Sequence, residues 1–267
     1  MRRPKEKPSY KRQQYLLELV AQQAEGIAQE DLQGLAFLHL RREQLDHYEF
    51  IVREGRVHSF QLAHDLEILQ RDGFLEEVGA EFFRATGPAD EAWNLADERG
   101  DELVKRLLQT HAEFFDRPEI EEHGSVLYTI GYEGRSLEAV IQMLQAAGVA
   151  LVCDVRANPQ SRKFGFAKRT LQEALEHVGL AYVHLPELGI ATDARRTTET
   201  AEDYAELFAR YADELPQRQA AIDELFALLD QYQRAALLCF ERESEHCHRH
   251  YLRNYLLAQR DLISRDL

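Results

Sequence analysis

The sequence predicts an α/β protein in which a parallel-sheet domain, covered by helices on both faces, follows a mainly helical domain. In the second half of the chain, apolar runs typical of strands alternate with helical patterns, which is the order that builds parallel sheets through right-handed crossovers. These runs are continuously apolar, as expected for strands buried on both faces. In the first half, from residue 10 to about residue 115, helical periodicity dominates.

These patterns divide the chain into three segments. Residues 1–12 are predicted to be a basic tail, residues 13–122 a mainly helical, winged-helix-like domain, and residues 123–267 the α/β domain. The first segment holds six cations against a single acid, Glu6, so a solvated tail is the simplest interpretation of its composition.

The helical domain has the element order of a winged-helix-like module. The patterns predict helices at 13–28 and 30–40, a β-like passage at 48–52, a third helix, a short strand at 74–78 and a last helix at 89–115. Ser59 is the predicted N-cap of the third helix, and Gly73 is its predicted C-terminal stop. In such modules a helix of this kind enters the DNA groove. This one carries Arg71 beside the acids Asp65 and Glu67, so a regulatory, substrate-guiding or self-association role stays open beside DNA binding.

The α/β domain is predicted to contain strands at 126–130, 150–155, 180–185 and 235–240. Ser136 is the predicted cap of the helix after the first strand, and Gly148 is its predicted end. Further helices are predicted at 168–178, 199–214, 216–231 and from residue 246 onward.

Charge and composition limit the functional classes. A net charge of −15 repels nucleic acid if it is spread evenly, but residues 156–169 hold five cations and no acid. The three cysteines are too few and odd in number for a disulfide framework, which fits a reducing cytoplasm. No apolar run approaches the ~20 residues of a membrane span, and the basic N-terminus lacks a signal-peptide pattern. We therefore expect a cytoplasmic protein with no membrane association.

Polar side chains cluster where the predicted strands end. Parallel strands end at one edge of a sheet, and open α/β sheets bind their ligands there. Cationic, acidic, thiol and imidazole groups would share this edge, as in a polar cleft. The candidates at the four strand ends are Tyr132, Asp154, Arg156, Glu187, Glu241, Cys247, His248 and Arg249.

The start of the last helix carries the densest group of reactive side chains. A step of 100° per residue places His248 on the buried face and His246 and His250 opposite. Cys247, near a helix N-terminus and flanked by cations, has surroundings that lower a thiol pKa, which suits a nucleophile. No metal site is expected: zinc ligands taken from Cys239 and this turn would be separated by a strand interior and opposite helix faces.

The basic loop RANPQSRKFGFAKR at 156–169 has aromatic residues among its cations. Phe164 and Phe166 could stack on bases beside the cation Arg162, which suits a nucleotide or single-stranded nucleic acid. A mobile loop anchored to the core by its phenylalanines is the alternative interpretation. The phosphate-loop lysine motif, the dinucleotide-binding glycine motif and the hydrolase nucleophile elbow are all missing from the sequence.

Four ordered motifs resemble the family known as domain of unknown function 488 (DUF 488). They are TIGYEGRSLE at 129–138, CDVRANPQSRKFGFAK at 153–168, YVHLPELG at 182–189 and LLCFERESEHCHR at 237–249. Ile190 departs from the family pattern, which often has a second glycine there. The resemblance implies an α/β fold and a shared polar site, which adds Ser161 to the candidates above, but no established reaction. SFQLAHDLEILQRDGFLEE in the first half more weakly resembles the winged-helix-like segment sometimes fused to this domain.

Two functional classes remain open. In the first, the protein is an enzyme acting on a nucleotide or nucleic acid, with Asp154 or Glu241 as general base or nucleophile and His248 as proton donor or as the residue that orients the base. Attack by Cys247 is the variant mechanism. The residues expected to hold phosphate are Arg156, Arg162 and Arg249. In the second class, the protein is a non-catalytic sensor of an anionic ligand, or an adaptor whose N-terminal domain binds DNA or a protein partner. The residues identify no cofactor, substrate or oligomeric state.

Overall fold

The computed structural model describes residues 7–79, 82–90, 92–116, 124–191 and 200–267. The chain forms two compact units, residues 1–116 and 117–267, and each has its own hydrophobic core. The predicted boundary near residue 123 lies outside the described residues. None of the helices in the described ranges has both the length and the apolar content that crossing a membrane requires.

The first unit combines helices with short antiparallel strands. Its elements are α1 (Lys11–Ala21), β1 (Ile27–Ala28), α2 (Gln29–Glu43), β2 (Ile51–Arg53), β3 (Arg56–His58), α3 (Phe60–Arg71), β4 (Leu75–Glu77), β5 (Phe82–Ala85), α4 (Gly100–Thr110) and α5 (Ala112–Phe115). Strands β1, β5 and β4 form an antiparallel sheet in that order, and β2 pairs with β3. Leu16, Leu32 and Leu66 from the first three helices are fully buried in the core.

The second unit is a five-stranded parallel sheet flanked by helices, so the α/β prediction for this half is confirmed. Its elements are β6 (Val126–Gly131), α6 (Leu137–Ala146), β7 (Leu151–Asp154), α7 (Lys168–His177), β8 (Ala181–His184), α8 (Ala201–Glu214), α9 (Gln219–Tyr232), β9 (Arg234–Cys239), α10 (His248–Gln259) and β10 (Ile263–Asp266). The strand order is β10-β6-β9-β7-β8, and every neighbouring pair is parallel. The C-terminal ends of β6, β7 and β9 therefore meet at one edge.

Hydrogen bonds confirm both predicted helix caps. The Ser59 hydroxyl accepts a bond of 3.2 Å from the Leu62 N–H at the start of α3. The Ser136 hydroxyl accepts a bond of 2.9 Å from the Ala139 N–H at the start of α6. Each side chain satisfies one of the backbone donors that a helix leaves unpaired in its first turn.

The helix predicted over 89–115 is wrong in its first part. Residues 92–99 are not helical, and α4 begins only at Gly100. Contacts with the first helices account for the difference: the Trp93 N–H donates to the Gln22 side chain at 2.9 Å, and the Trp93 ring stacks on His39 with a centroid distance of 4.5 Å. Tertiary packing outweighs helical propensity here.

Of the basic tail predicted over residues 1–12, the structure describes residues 7–12, and the last two of these belong to a helix. Helix α1 begins at Lys11, and the Arg12 guanidinium lies 2.6 Å from the Asp65 carboxylate. Asp65 is fully buried and also accepts hydrogen bonds from Gln13 and Tyr48. It therefore contributes to the core of this unit and presents no negative charge on the outer face of α3.

The structure contains a fifth strand that the sequence analysis does not predict. Strand β10 pairs with β6 at the edge of the sheet, with Ile263 opposite Val126 and Asp266 opposite Thr129. Its residues are exposed or half-buried, so the strand lacks the continuous apolar run of the central strands. A short polar edge strand gives little periodic signal in a sequence.

Candidate functional site

A cleft of about 370 Å³ lies where β6, β7 and β9 end. Side chains from the strand ends and from the basic loop after β7 line it together. They include Tyr132, Arg156, Ser161, Arg162, Cys239 and Phe240. The structure therefore brings four of the predicted ligand-binding residues to one place, and it adds two neighbours that the sequence analysis left out of the site.

A buried ion pair forms the floor of this region. The Arg156 Nε and Nη2 atoms donate to the two Asp154 carboxylate oxygens at 2.7 and 2.5 Å, and the Arg156 backbone N–H donates to the same carboxylate at 3.1 Å. Tyr182 adds a fourth bond to Asp154, at 2.7 Å. Burial lowers the pKa of Arg156, but the hydrogen bonds and charge of Asp154 outweigh it and hold that pKa above its ordinary value. Asp154 is thus fully engaged as the anchor of Arg156.

Aromatic rings build one wall of the cleft. The Tyr132 ring stacks on Phe166 with a centroid distance of 4.1 Å and an angle of 8° between the planes. Phe240 meets Tyr132 edge to face at 5.3 Å, and 43% of Phe240 remains exposed. The Tyr132 hydroxyl accepts a hydrogen bond of 2.9 Å from Arg156 Nη1, which also donates to the Phe166 carbonyl. Of the two loop phenylalanines, Phe166 anchors the loop to the core, as the alternative interpretation of this loop requires.

Two glycines permit the close backbone contacts that shape this edge. A Cβ atom on Gly131 would lie 1.8 Å from the Glu241 carbonyl oxygen, and one on Gly189 would lie 2.2 Å from the Ala157 nitrogen. Both contacts are with backbone atoms, which cannot turn aside as a side chain can. Any larger residue would push the loops after β9 and β7 away from the strand ends.

Cys239, Cys247 and His248 form a buried cluster beside the cleft. Their Sγ, Sγ and Nδ1 atoms lie within 4.8 Å of one another. The sequence argument that separated these residues is wrong, because Cys239 is the last residue of β9 and Cys247 is the extended N-cap of α10 (φ −135°, ψ 146°). A helical step of 100° per residue therefore does not describe Cys247 or the turn before it.

The histidines at the start of α10 follow the prediction. His248 is fully buried, and its Nε2 atom lies 3.0 Å from the Val155 carbonyl oxygen at the end of β7. His246 is exposed and His250 half-buried. The inward orientation of His248 predicted from helical periodicity is therefore confirmed.

The environment of Cys247 is the opposite of the one predicted. Burial raises the pKa of Cys247 well above its usual range, and the neighbouring Cys239 and Glu241 raise it further, while Arg249 lowers it only in part. The sequence analysis expected the helix N-terminus and the flanking cations to lower the pKa of this thiol. The uncharged thiol is a weak nucleophile, so the structure gives no support to attack by Cys247.

Arg249 is a buried cation that holds the loop after β9. It donates to the carbonyl oxygens of Glu241 and Arg242 at 2.5 and 2.8 Å and to the Thr129 hydroxyl at 3.2 Å. Only 1% of Arg249 is exposed. These contacts make it a positioning residue for the loop, where the sequence analysis expected a phosphate ligand.

The remaining predicted residues differ in their placement. Ser161 accepts a hydrogen bond of 3.2 Å from the Lys163 N–H and lines the cleft. Glu241 is half-buried, and its Oε2 atom accepts a hydrogen bond of 3.3 Å from Cys239. Glu187 is exposed in the turn after β8, outside the residues that line the cleft.

Among the comparisons with known proteins, a family model matches the second unit. The family described as Domain of unknown function DUF488 matches residues 136–256. This stretch is DUF488-like. It runs from the cap of α6 into α10 and contains Asp154, Arg156, Glu241, Cys247 and His248. Searches of curated proteins and of solved structures found no match.

The DUF488-like unit also uses residues that the sequence analysis did not assign to the site. The sequence analysis places Cys239 in a strand interior and includes Phe240 and Tyr182 in its predicted strands. Because each is apolar or aromatic inside a strand pattern, its type alone does not separate a core role from a site role. The signal that could have found Cys239 is its position two residues before Glu241 in the motif LLCFERESEHCHR.

Proposed function

We propose that the DUF488-like unit binds a nucleotide or nucleic acid in the strand-end cleft and acts on it as an enzyme. The observation that carries the proposal is the partly exposed Phe240 at a cleft that Arg162 also lines. A base needs an aromatic face and a phosphate needs a cation, and this cleft offers both.

The aromatic wall supports binding of a base. Phe240 is 43% exposed, whereas Tyr132 behind it is held between Phe166 and the Arg156 guanidinium. The wall is thus rigid before ligand arrives, which limits the ordering cost of binding. Stacking of a base on such a ring contributes about 1–3 kcal/mol.

Arg162 is the cation best suited to a phosphate. It is exposed and lines the cleft, next to the Ser161 hydroxyl. Arg156 lines the cleft too, but all three of its guanidinium nitrogens already donate hydrogen bonds to protein atoms. Arg156 therefore orients Tyr132 and the loop, and Arg162 supplies the bidentate fork that phosphate oxygens favour.

Glu241 is the better candidate for the general base. The two oxygens of Asp154 already accept four hydrogen bonds from Arg156 and Tyr182, so that carboxylate is engaged by the protein. Glu241 is half-buried after β9, and it contacts Cys239, which lines the cleft. A partly desolvated carboxylate beside a cleft suits proton transfer.

The second candidate function is a non-catalytic sensor or adaptor. It is favoured by the raised pKa of Cys247, which disfavours the thiolate needed for attack, and by the four hydrogen bonds that engage the Asp154 carboxylate. In this case the cleft binds the anionic ligand, and the first unit transmits its presence to a partner.

The winged-helix-like interpretation of the first unit belongs to this second candidate. It is supported by three helices and an antiparallel sheet in the order β1-β5-β4. The cation of α3, Arg71, lies 3.3 Å from the carboxylate of Asp72. Its charge is thereby offset, which favours a protein partner over a DNA groove.

A thermal-shift screen tests the binding proposal. Nucleotides, nucleosides and short single- and double-stranded DNA and RNA are added to the full chain, and a ligand that binds only the folded state raises the melting temperature. We expect at least one ligand to raise the melting temperature, and we expect Phe240→Ala and Arg162→Ala each to reduce that shift. The control is Arg169→Ala on α7, which replaces an exposed arginine paired with Glu173 and should leave the shift unchanged. No shift with any of these ligands overturns the proposal.

Product analysis then separates the enzyme from the sensor. If Glu241 is the general base, Glu241→Gln loses turnover and keeps the thermal shift. If the wild-type protein binds the ligand without converting it, the enzyme hypothesis is wrong and the sensor hypothesis is supported.

A further inference from the structure

The buried cluster at the start of α10 has the composition of a soft-metal site. Two thiols and one imidazole converge where β9 ends and α10 begins, and the proposed function uses none of them directly. Thiolates and imidazole are the ligands that zinc prefers in proteins.

The spacing of the three donor atoms fits a tetrahedral ion. Ligands about 2.3 Å (sulfur) and about 2.1 Å (nitrogen) from a tetrahedral zinc ion lie roughly 3.6 Å apart. The His248 Nδ1 atom lies 3.7 Å from Cys239 Sγ and 3.6 Å from Cys247 Sγ. Each side chain is buried, so these positions are set by packing.

The other nitrogen of His248 selects the tautomer that a metal requires. Its Nε2 atom lies 3.0 Å from the Val155 carbonyl, an acceptor that can bond only to a protonated ring nitrogen. When the ring is neutral, this bond leaves the lone pair of Nδ1 directed at the two sulfurs. A metal-binding histidine usually donates its second ring N–H in this way, which fixes its orientation.

A zinc ion bound by two thiolates leaves the net charge of the cluster unchanged, because each thiol loses one proton. Arg249 is buried beside Cys247, and its three hydrogen bonds end on neutral oxygens. A divalent ion with two thiolates is neutral, so the carboxylate of Glu241 remains to compensate the guanidinium charge of Arg249.

From these contacts we propose that Cys239, Cys247 and His248 bind one zinc ion through Sγ, Sγ and Nδ1. Binding forms two zinc–sulfur bonds and one zinc–nitrogen bond, and the two thiol protons leave to solvent. Three protein ligands leave a fourth position, and Glu241 is the carboxylate beside the ligand set. This arrangement is that of zinc sites that activate water. Activation of water by the zinc ion rests on the proposed function, whereas zinc binding itself does not.

The experiment is a metal titration of the full chain, freed of metal with a chelator and kept under a thiol-free reductant. We expect one equivalent of Zn²⁺ to bind with release of about two protons. Co²⁺ in place of Zn²⁺ should give the charge-transfer absorption of thiolate ligands and the visible bands of tetrahedral coordination. These readouts use the wild-type protein, so they do not depend on whether a variant folds.

Matched variants locate the site. Cys247→Ser should lower zinc affinity more than about 100-fold, beyond the loss expected for a residue that only supports a ligand. Cys153→Ser, at a buried thiol inside β7, should bind zinc as the wild type does. His248→Ala should lose the cobalt bands, and His246→Ala, at an exposed neighbour, should keep them.

Three outcomes overturn the proposal. In the first, the wild-type protein binds no stoichiometric metal ion. In the second, Cys153→Ser and Cys247→Ser lower the zinc affinity equally. In the third, His246→Ala abolishes metal binding and His248→Ala retains it. The last would assign the metal to surface histidines. Because none of these readouts measures turnover, failure of the zinc site and failure of the proposed function can be told apart.

Discussion

At the scale of single residues, Asp154 and Arg156 define each other's role. The carboxylate is fully buried, and each of its oxygens accepts hydrogen bonds from the guanidinium or its backbone. Arg156 in turn holds the Tyr132 hydroxyl and the Phe166 carbonyl. A buried pair of this kind adds little stability over an apolar core, but losing one partner leaves an uncompensated charge.

We therefore predict that Asp154→Asn destabilises the second unit by about 3–5 kcal/mol, because the guanidinium of Arg156 stays buried without its counter-charge. Chemical denaturation followed by circular dichroism measures the change. The control is Glu173→Gln, which removes one partner of the exposed pair with Arg169 on α7 and should leave stability nearly unchanged, because solvent screens an exposed ion pair. Equal effects of the two substitutions would contradict the structural role of Asp154.

The residue types of the site can be predicted from the sequence, but their pairings cannot. Strand ends collect polar side chains at one edge of a parallel sheet, and this rule found Tyr132 and Arg156, while the composition of the basic loop found Arg162. It does not reveal that Asp154 is saturated by Arg156, since that depends on how the loop returns over the strand. It also missed Cys239, because a thiol that ends a strand resembles one inside it.

At the scale of elements, the ends of β6 and β9 are held together by a close backbone crossing. Gly131 lies under the Glu241 carbonyl, and Arg249 ties the same carbonyl to α10. On the outer side of β6, β10 is secured by Asp266, which accepts hydrogen bonds from Thr129 and Arg253. The position of Glu241 thus depends on contacts between three strands and one helix.

We predict that Gly131→Ala destabilises the second unit by roughly 1–3 kcal/mol and weakens ligand binding in the cleft, because the loop after β9 must move to admit the new methyl group. Melting temperature and ligand titration measure the two effects. Gly87→Ala is the control, since a Cβ there meets nothing within 4 Å. If Gly131→Ala were as stable as the wild type, the two backbones could not be as close at this crossing as described.

The edge strand β10 gives a prediction for pH. Burial raises the pKa of Asp266, but the hydrogen bond from Thr129 and the bond and charge of Arg253 outweigh it, so that pKa is lowered. The stabilisation that ionised Asp266 provides is complete above the carboxyl pKa of the unfolded chain, about 4. It is lost as the pH falls through the lower pKa that Asp266 has in the folded protein. Asp266→Asn should thus be less stable than wild type at pH 7, with the gap in denaturation midpoint narrowing below about pH 4. A gap that does not change with pH would contradict this role.

Elements with strong periodic signals are the ones that the sequence predicts. The caps Ser59 and Ser136 and the central strands are confirmed because local patterns and tertiary packing agree there. The helix over 89–115 fails in its first part because Trp93 packs on His39 and is held by Gln22. Strand β10 is not predicted because its residues form a strand only through their pairing with β6.

At the scale of the whole molecule, the two units have separate hydrophobic cores. We predict that Leu66→Ala in the first core and Leu237→Ala in the second each cost about 2–5 kcal/mol and chiefly lower the unfolding transition of their own unit. Differential scanning calorimetry of the full chain resolves the transitions. Both leucines are fully buried, so each substitution is the control for the other. A single transition that moves equally with both would contradict separate cores.

Hydrogen exchange with and without ligand tests the central claim most directly, namely that the strand-end cleft is the binding site. The ligands are adenosine 5′-monophosphate and a short 5′-phosphorylated oligodeoxythymidine, which combine a base for Phe240 with a phosphate for Arg162. We predict that at least one of them slows exchange in residues 156–166 and 239–242 and leaves the described part of the first unit unchanged. Protection confined to the first unit, or no protection with either ligand, would contradict the account.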